Sequence, residues 1–309
     1  MPAVVATDLK KSYGSTVALK GVSFEVGEGE IFGFIGPDGG GKTTLFRILV
    51  SLVLPDSGEA IVDGLHTGRD YKELRRRLGY MPGRFSFYQD LSVEENLQFF
   101  ATIFGTTVEA NYDLIKDIYG QIEPFRKRRA GALSGGMKQK LALSCALVHR
   151  PRVLFLDEPT TGVDAVSRRE FWDMLARLRS EGLTIVVSTP YLDEATRCDR
   201  IALIQGGNLL GIDTPAAIAG SFGRPLFAVR TARRLEAMRV LRGFEYARSV
   251  YAFGEDLHYA DRRETAPAGE IGAVLSAAGI DGATVRPIEA GIEDVFMDRM
   301  RGEAAHVHG

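Results

Sequence analysis

One short stretch constrains this chain more than any other: Gly36-Pro37-Asp38-Gly39-Gly40-Gly41-Lys42-Thr43, followed by Thr44. Residues 30–35 before it read as a buried strand, and residues 45–50 after it as a helix. Glycines at this spacing let the backbone curl tightly. Successive N–H groups and the start of the next helix then point at anionic oxygens. The pattern G-x-x-x-x-G-K-[ST] assigns Lys42 to the β- and γ-phosphates of a nucleotide and the Thr43 hydroxyl to Mg²⁺. A glycine-rich turn before an ordinary helix is the competing reading, so the rest of the chain has to decide.

At 309 residues the chain is long enough for one large domain and a smaller one. A net charge of −2 and a pI near 6.3 provide no global basic field, so nucleic acid is not the expected partner. Cys145 and Cys198 follow no metal or redox spacing and read as reduced, structural thiols of a cytosolic protein. The N-terminus has no basic segment leading into an apolar core, so no signal peptide is expected. Apolar runs such as residues 48–54 are too short to span a bilayer. Work at a membrane would therefore be that of a peripheral subunit.

Alternation predicts strands at residues 3–7 and 22–26, then at 59–62 after the turn Pro55-Asp56-Ser57-Gly58. Residues 71–78 read as a basic helix and 79–81 as a strand, and residues 92–132 have a helical pattern opened by the cap Ser92-Val93-Glu94-Glu95. Residues 153–156 and 184–188 are apolar enough for buried parallel strands. A hairpin is expected around Gly206-Gly207. Composition shifts near Gly220. Beyond it the order strand, helix, two strands, helix, strand (residues 226–287) predicts a small ferredoxin-like α+β appendage over 221–302. A last helix is expected at 292–300. Residues 303–309, with His306 and His308, read as a tail rather than a metal site.

Two further motifs carry chemistry. The apolar run 153–156 ends in Asp157-Glu158-Pro159, which sets two carboxylates at the C-terminal end of a strand, where α/β sheets gather ligands. Asp157 would orient Mg²⁺ and Glu158 would polarise an attacking water. Earlier, Leu133-Ser134-Gly135-Gly136-Met137 opens an amphipathic helix and exposes a second set of N–H groups. Two phosphate sites this close suit a chain whose second site serves another subunit's nucleotide.

With these three motifs in order, residues 3–220 resemble the nucleotide-binding subunit of an ABC transporter. The resemblance implies a P-loop NTPase α/β cassette over 1–220, with a helical subdomain at about 85–150 that carries the Ser134 signature. It implies ATP and Mg²⁺ as cofactors, Glu158 as catalytic residue, and Thr43 and Asp157 as metal ligands. Nucleotide contacts would come from Tyr13, Gly36, Pro37, Asp38, Gly39, Gly40, Gly41, Lys42, Thr43 and Thr44, with Tyr13 stacking on adenine. Ser134, Gly135 and Gly136 would hold the ATP of a partner cassette packed head to tail, and Gly162-Val163-Asp164 would link the two cassettes. Residues 79–100 would meet a separate transmembrane permease subunit, placing the protein in the cytoplasm on the inner face of the membrane. Gly211-Ile212-Asp213-Thr214-Pro215 and Ile292-Glu293-Asp294-Val295-Phe296 look like the ABC-2-type exporter ATPases, a class that includes drug and sodium efflux systems.

The chain departs from that family at two functional positions. Gly83, within Gly79-Tyr80-Met81-Pro82-Gly83-Arg84-Phe85-Ser86, stands where the family has a Gln that contacts Mg²⁺ and the water. Pro190 stands where it has a His that donates to the γ-phosphate, and proline offers no donor. Asp38 for Asn and Gly40 for a small side chain are milder changes, and nearby Gln89 is a candidate substitute for the missing Gln. Binding is expected to survive and hydrolysis to slow, which favours a heterodimer with a fully equipped second cassette over a homodimer. A soluble ABC ATPase outside transport and a nucleotide sensor without turnover are the alternatives.

Overall fold

The computed structural model describes residues 2–83 and 87–307. Arg84, Phe85 and Ser86 of the segment around Gly83, and His308 at the end, lie outside these. The chain forms two compact units, dividing between Pro215 and Ala216. The sequence placed that break at 220/221, where a short helix ends instead.

The first unit contains, in chain order, β1 (Val4–Tyr13), β2 (Thr16–Val26), β3 (Ile31–Ile35), α1 (Lys42–Leu49), β4 (Ser57–Val62), β5 (Leu65–His66), α2 (Tyr71–Arg77), β6 (Leu78–Met81), α3 (Val93–Ile103), α4 (Tyr112–Tyr119), α5 (Gly135–Leu147), β7 (Val153–Asp157), α6 (Ala165–Ser180), β8 (Thr184–Thr189), β9 (Arg200–Gln205) and β10 (Asn208–Asp213). α7 (Pro215–Gly220) straddles the division.

A six-stranded sheet, ordered β10-β9-β3-β8-β7-β6, is parallel except for the β9–β10 hairpin. Every residue of β3, β7 and β8 is buried, which explains why these strands read as unbroken apolar runs rather than alternations. Their register matters for function. Ile35 pairs with Thr189 and Asp157 with Ser188, so three strands end side by side and deliver three loops to one edge. A second sheet, β2-β1-β4-β5, is antiparallel.

Under the first of those loops runs a line of edge-to-face rings. Phe24 meets Phe34 at 4.9 Å, Phe34 meets Phe46 at 6.0 Å, and Phe46 meets Phe155 at 5.9 Å between centroids. Each such pair contributes about 0.5–1.5 kcal/mol beyond the area it buries. Together they tie β2, β3, α1 and β7 into one floor.

The helical stretch 92–132 resolves into α3, α4 and 3-10 turns at Glu109–Asn111, Glu123–Phe125 and Ala130–Ala132. Gly105, at φ 69°, and Pro124 interrupt a continuous helix. At the start of α3 the expected cap is present in both directions: the Ser92 N–H donates to Glu95 at 2.7 Å, and the Glu95 N–H donates to the Ser92 hydroxyl at 3.2 Å.

The second unit continues with β11 (Leu226–Arg230), α8 (Arg234–Arg242), β12 (Ala247–Phe253), β13 (Asp256–Asp261), α9 (Ala268–Ala277), β14 (Thr284–Pro287) and α10 (Ile292–Val307). Its sheet is wholly antiparallel in the order β12-β13-β11-β14, a split βαβ arrangement around Phe227, Val229, Leu241, Leu257, Tyr259 and Leu275. α10 runs past the expected end at 300 and includes residue 306. Glu303, Ala304 and Ala305 are strong helix formers, so Gly302 does not stop it.

Candidate nucleotide-binding site

The loop 36–41 leaves β3 and winds into α1 through contacts that only glycine permits. At Gly36 a Cβ would sit 2.0 Å from the Ile204 carbonyl oxygen, and at Gly41, with φ 102°, it would sit 2.5 Å from that of Ala18. The Gly36 N–H donates to the Thr189 carbonyl at 3.2 Å, and the Gly207 N–H donates to the Gly40 carbonyl at 3.1 Å. Asp38 and Gly39 are exposed, Pro37 and Gly41 are half-buried, and Gly40 is buried. Thr43 and Thr44 sit half-buried in the first turn of α1.

Lys42 is only 3% exposed. Its ammonium donates to the carbonyls of Gly36 at 2.8 Å and Pro37 at 3.0 Å, and pairs with Glu158 Oε1 at 3.1 Å. The loop lysine and the candidate base therefore touch. Glu158 holds φ at 50°, a left-handed backbone that costs a non-glycine residue about 1–3 kcal/mol. Its N–H donates to both the carbonyl and the hydroxyl of Ser188, each at 3.0 Å, and these bonds hold the strained turn. The Ser188 hydroxyl in turn donates to Asp157 Oδ1 at 2.5 Å, fixing a carboxylate that is 2% exposed. On the neighbouring strand, burial and the Asp157 charge push the Tyr80 phenol up to about 12, so it stays protonated.

Gly83 lies beside this pair: a Cβ on it would be 3.1 Å from the Asp157 carbonyl oxygen and 3.9 Å from Glu158 Cβ. Pro190 directly follows Thr189, whose carbonyl anchors Gly36. Both departures noted in the sequence thus fall at the edge that bears Lys42, Asp157 and Glu158. Ser134 caps α5, accepting from the Met137 N–H at 3.4 Å, and is exposed with Gly135. A Cβ on Gly136 would meet the Ser167 hydroxyl at 2.7 Å, and one on Gly135 would meet the Gly162 carbonyl at 3.8 Å, so this helix start adjoins the Gly162–Asp164 segment. Among the described contacts none joins Ser134, Gly135 or Gly136 to the loop 36–43. Tyr13, 46% exposed at the tip of the β1–β2 hairpin, has the Lys11 ammonium 5.7 Å from its ring centre.

The sequence reading missed the hydroxyls that fasten this edge, Ser188, Thr160 and Thr189, and the buried Glu194 that binds the last two. Both cysteines are buried and unpaired, and burial pushes their thiols up, away from reactivity.

This geometry can be set beside known proteins. The family model described as ABC transporter matches residues 19–161, which hold the loop, the Ser134 signature and Asp157-Glu158. "Nod factor export ATP-binding protein I" of Rhizobium sp. (strain N33) is 37% identical over 220 residues, 69% of this chain and 72% of that protein. The chain belongs to the ABC transporter family. Residues 19–161 carry the domain that defines that family. The "Probable multidrug ABC transporter ATP-binding protein YbhF" of Escherichia coli (strain K12) is 41% identical over 215 residues, 69% of this chain but 37% of that protein, so the cassette spans about a third of that relative. Among solved structures, "Dimeric structure of a post-hydrolysis state of the ATP-binding cassette MJ0796 bound to ADP and Pi" superposes with TM-score 0.62 at 27% identity, covering 68% of this chain and 98% of that one. Among the described residues of this cassette no helix is long and apolar enough to cross a membrane.

Proposed function

We propose that this ABC cassette binds and hydrolyses ATP at residues 36–44 and 157–158 to drive export through a separate transmembrane permease. The observation that carries this is the meeting of Lys42 and Glu158 at the end of β3 and β7, beside a buried, oriented Asp157. Lys42 and the N–H groups of the loop neutralise the phosphates, and the nucleotide displaces Glu158 from Lys42. The freed carboxylate is then the general base for water. Tyr13, exposed on its hairpin, offers a ring for adenine.

The residues fit Mg²⁺. Thr43 and Asp157 are hard oxygen donors, and no group of three or more His, Cys, Asp or Glu among the described residues could hold a metal ion. An ion here would therefore be shared with the nucleotide phosphates. When bound, it would neutralise phosphate charge.

The exposed Ser134–Gly136 start suits a second cassette's ATP, in line with the dimeric MJ0796 structure. We infer a heterodimer, because Gly83 and Pro190 leave this chain's own edge short of two donors while its signature start is complete. Losing one positioned donor costs about 10²–10³ in rate. The names of the relatives, Nod factor export and multidrug transport, support export and a peripheral position on the inner face of the membrane. The deciding experiment is Mg-ATPase turnover of the purified chain against Glu158→Gln, with nucleotide binding measured in parallel. Slow, Glu158-dependent turnover with tight binding supports the reading. Turnover that survives Glu158→Gln would overturn it, and turnover at the rate of fully equipped cassettes would remove the case for a heterodimer.

A further inference from the structure

We propose that Glu194 is a positioning residue that clamps the Glu158 loop to the Pro190 loop, with Arg168 as its counter-charge. Glu194 is 3% exposed, and both of its oxygens are engaged by loops that flank the reacting edge. Oε1 accepts from the Thr160 hydroxyl at 2.8 Å, two residues beyond Glu158. Oε2 accepts from the Thr189 hydroxyl at 2.5 Å, one residue before Pro190.

Thr189 is itself a junction. Its carbonyl receives the Gly36 N–H at 3.2 Å, and its hydroxyl accepts from the Tyr191 N–H at 3.1 Å. Through one carboxylate, the first glycine of the phosphate loop, the turn after Glu158 and the loop after β8 are held in a single frame.

A buried carboxylate needs a compensating charge. Arg168 Nε lies 3.8 Å from Glu194 Oε1, is itself buried without a hydrogen-bond partner, and its guanidinium sits 4.5 Å above the Tyr191 ring. Asp193, 3.6 Å from Arg168 Nη1, is the other acidic group facing it. The Arg168 N–H bonds the Asp164 carbonyl at 2.9 Å in the first turn of α6, so the Gly162–Asp164 end of that helix is fastened to the same carboxylate.

The need for a clamp follows from two features described above. Glu158 sits in a strained left-handed turn that relaxes unless its surroundings over-determine it. Pro190 removes a donor that would otherwise fasten the opposite loop to the nucleotide. With that tie absent, an internal tie has to keep the β8 loop in place.

The test has two halves. The first, which does not depend on turnover, is hydrogen exchange of the full chain at the Gly36 and Glu158 amides. Glu194→Ala is expected to speed exchange there by about tenfold, with the β3 amides unchanged. Glu194→Gln, which keeps one acceptor and adds a donor for Thr160 or Thr189, is expected to stay within about threefold. The second half rests on the hydrolytic reading above. Glu194→Ala should lower kcat by about tenfold or more with KM within about threefold, because binding contacts remain while alignment is lost.

Thr160→Val and Thr189→Val, each close in shape, repeat both measurements if Glu194→Ala does not fold. Unchanged exchange at both amides would overturn the clamp, as would exchange raised equally throughout β3. A chain with no Glu158-dependent turnover would sink the hydrolytic reading instead, and the exchange result would still decide the clamp.

Discussion

Two helices in this cassette begin with glycines, and they are built in opposite ways. The start of α1 is socketed: Lys42 is 3% exposed, Gly39 and Gly41 take left-handed backbones, and a Cβ at Gly36 would strike the Ile204 carbonyl at 2.0 Å. The start of α5 is open. Ser134 and Gly135 are exposed, neither Gly135 nor Gly136 has a positive φ, and a Cβ on Gly135 finds nothing nearer than 3.8 Å. In the function proposed above, both present N–H groups to phosphate. At the second only Gly136 is approached closely, by the Ser167 side chain, whereas the first is walled by backbone carbonyls, which shows that a loop's glycines can be there for packing or for access.

That contrast can be broken most severely at the socketed start. Glu158→Gln removes the proposed base that Lys42 holds, and any turnover should fall about 10²–10⁴-fold while nucleotide remains bound, read by steady-state hydrolysis and calorimetry. Gly36→Ala should lower stability by about 3 kcal/mol and abolish nucleotide binding, whereas Gly135→Ala should leave both nearly unchanged. Paired urea melts decide this, and equal losses would erase the contrast.

Smaller effects sharpen it. Gly83→Gln with Pro190→His should raise turnover by about tenfold or more if the socketed edge lacks only those donors. The Gln requires a shift of a few tenths of an ångström at the Asp157 carbonyl. The mildest test lies just past the far end of α5. There burial pushes His149 below its ordinary value, although its Nε2 lies 3.0 Å from the Leu78 carbonyl. The unfolded chain then binds the proton more readily, so His149 favours folding above about pH 6.5 and that share is lost as the pH falls. Melting temperatures between pH 7.5 and 5.5 should drop less steeply in His149→Gln.

Much of the socketed start was legible because its chemistry demands rare residues. Glycines at fixed spacing, a lysine and a threonine leave little freedom, and buried parallel strands write themselves as apolar runs such as residues 153–156. The fastenings were not legible. Ser188, Thr160 and Thr189 are ordinary residues whose hydroxyls matter only because strand register brings Asp157 opposite Ser188. Glu194, in the acidic pair Asp193-Glu194, reads as solvated until the fold buries it. The left-handed Glu158 leaves no mark in composition, since strain belongs to the backbone. Residues 92–132 had helical periodicity throughout, but Gly105 and Pro124 divide it, and periodicity alone does not place such breaks.

The line of rings from Phe24 to Phe155 bears on how firmly the phosphate loop is seated. Close-packed aromatic layers resist compression and bending, so a load applied at the phosphate loop travels through them with little give. A plate of that stiffness behaves as an anvil. The loop 36–41 is thus backed by a stiff floor from below and held by its own glycine contacts from the side.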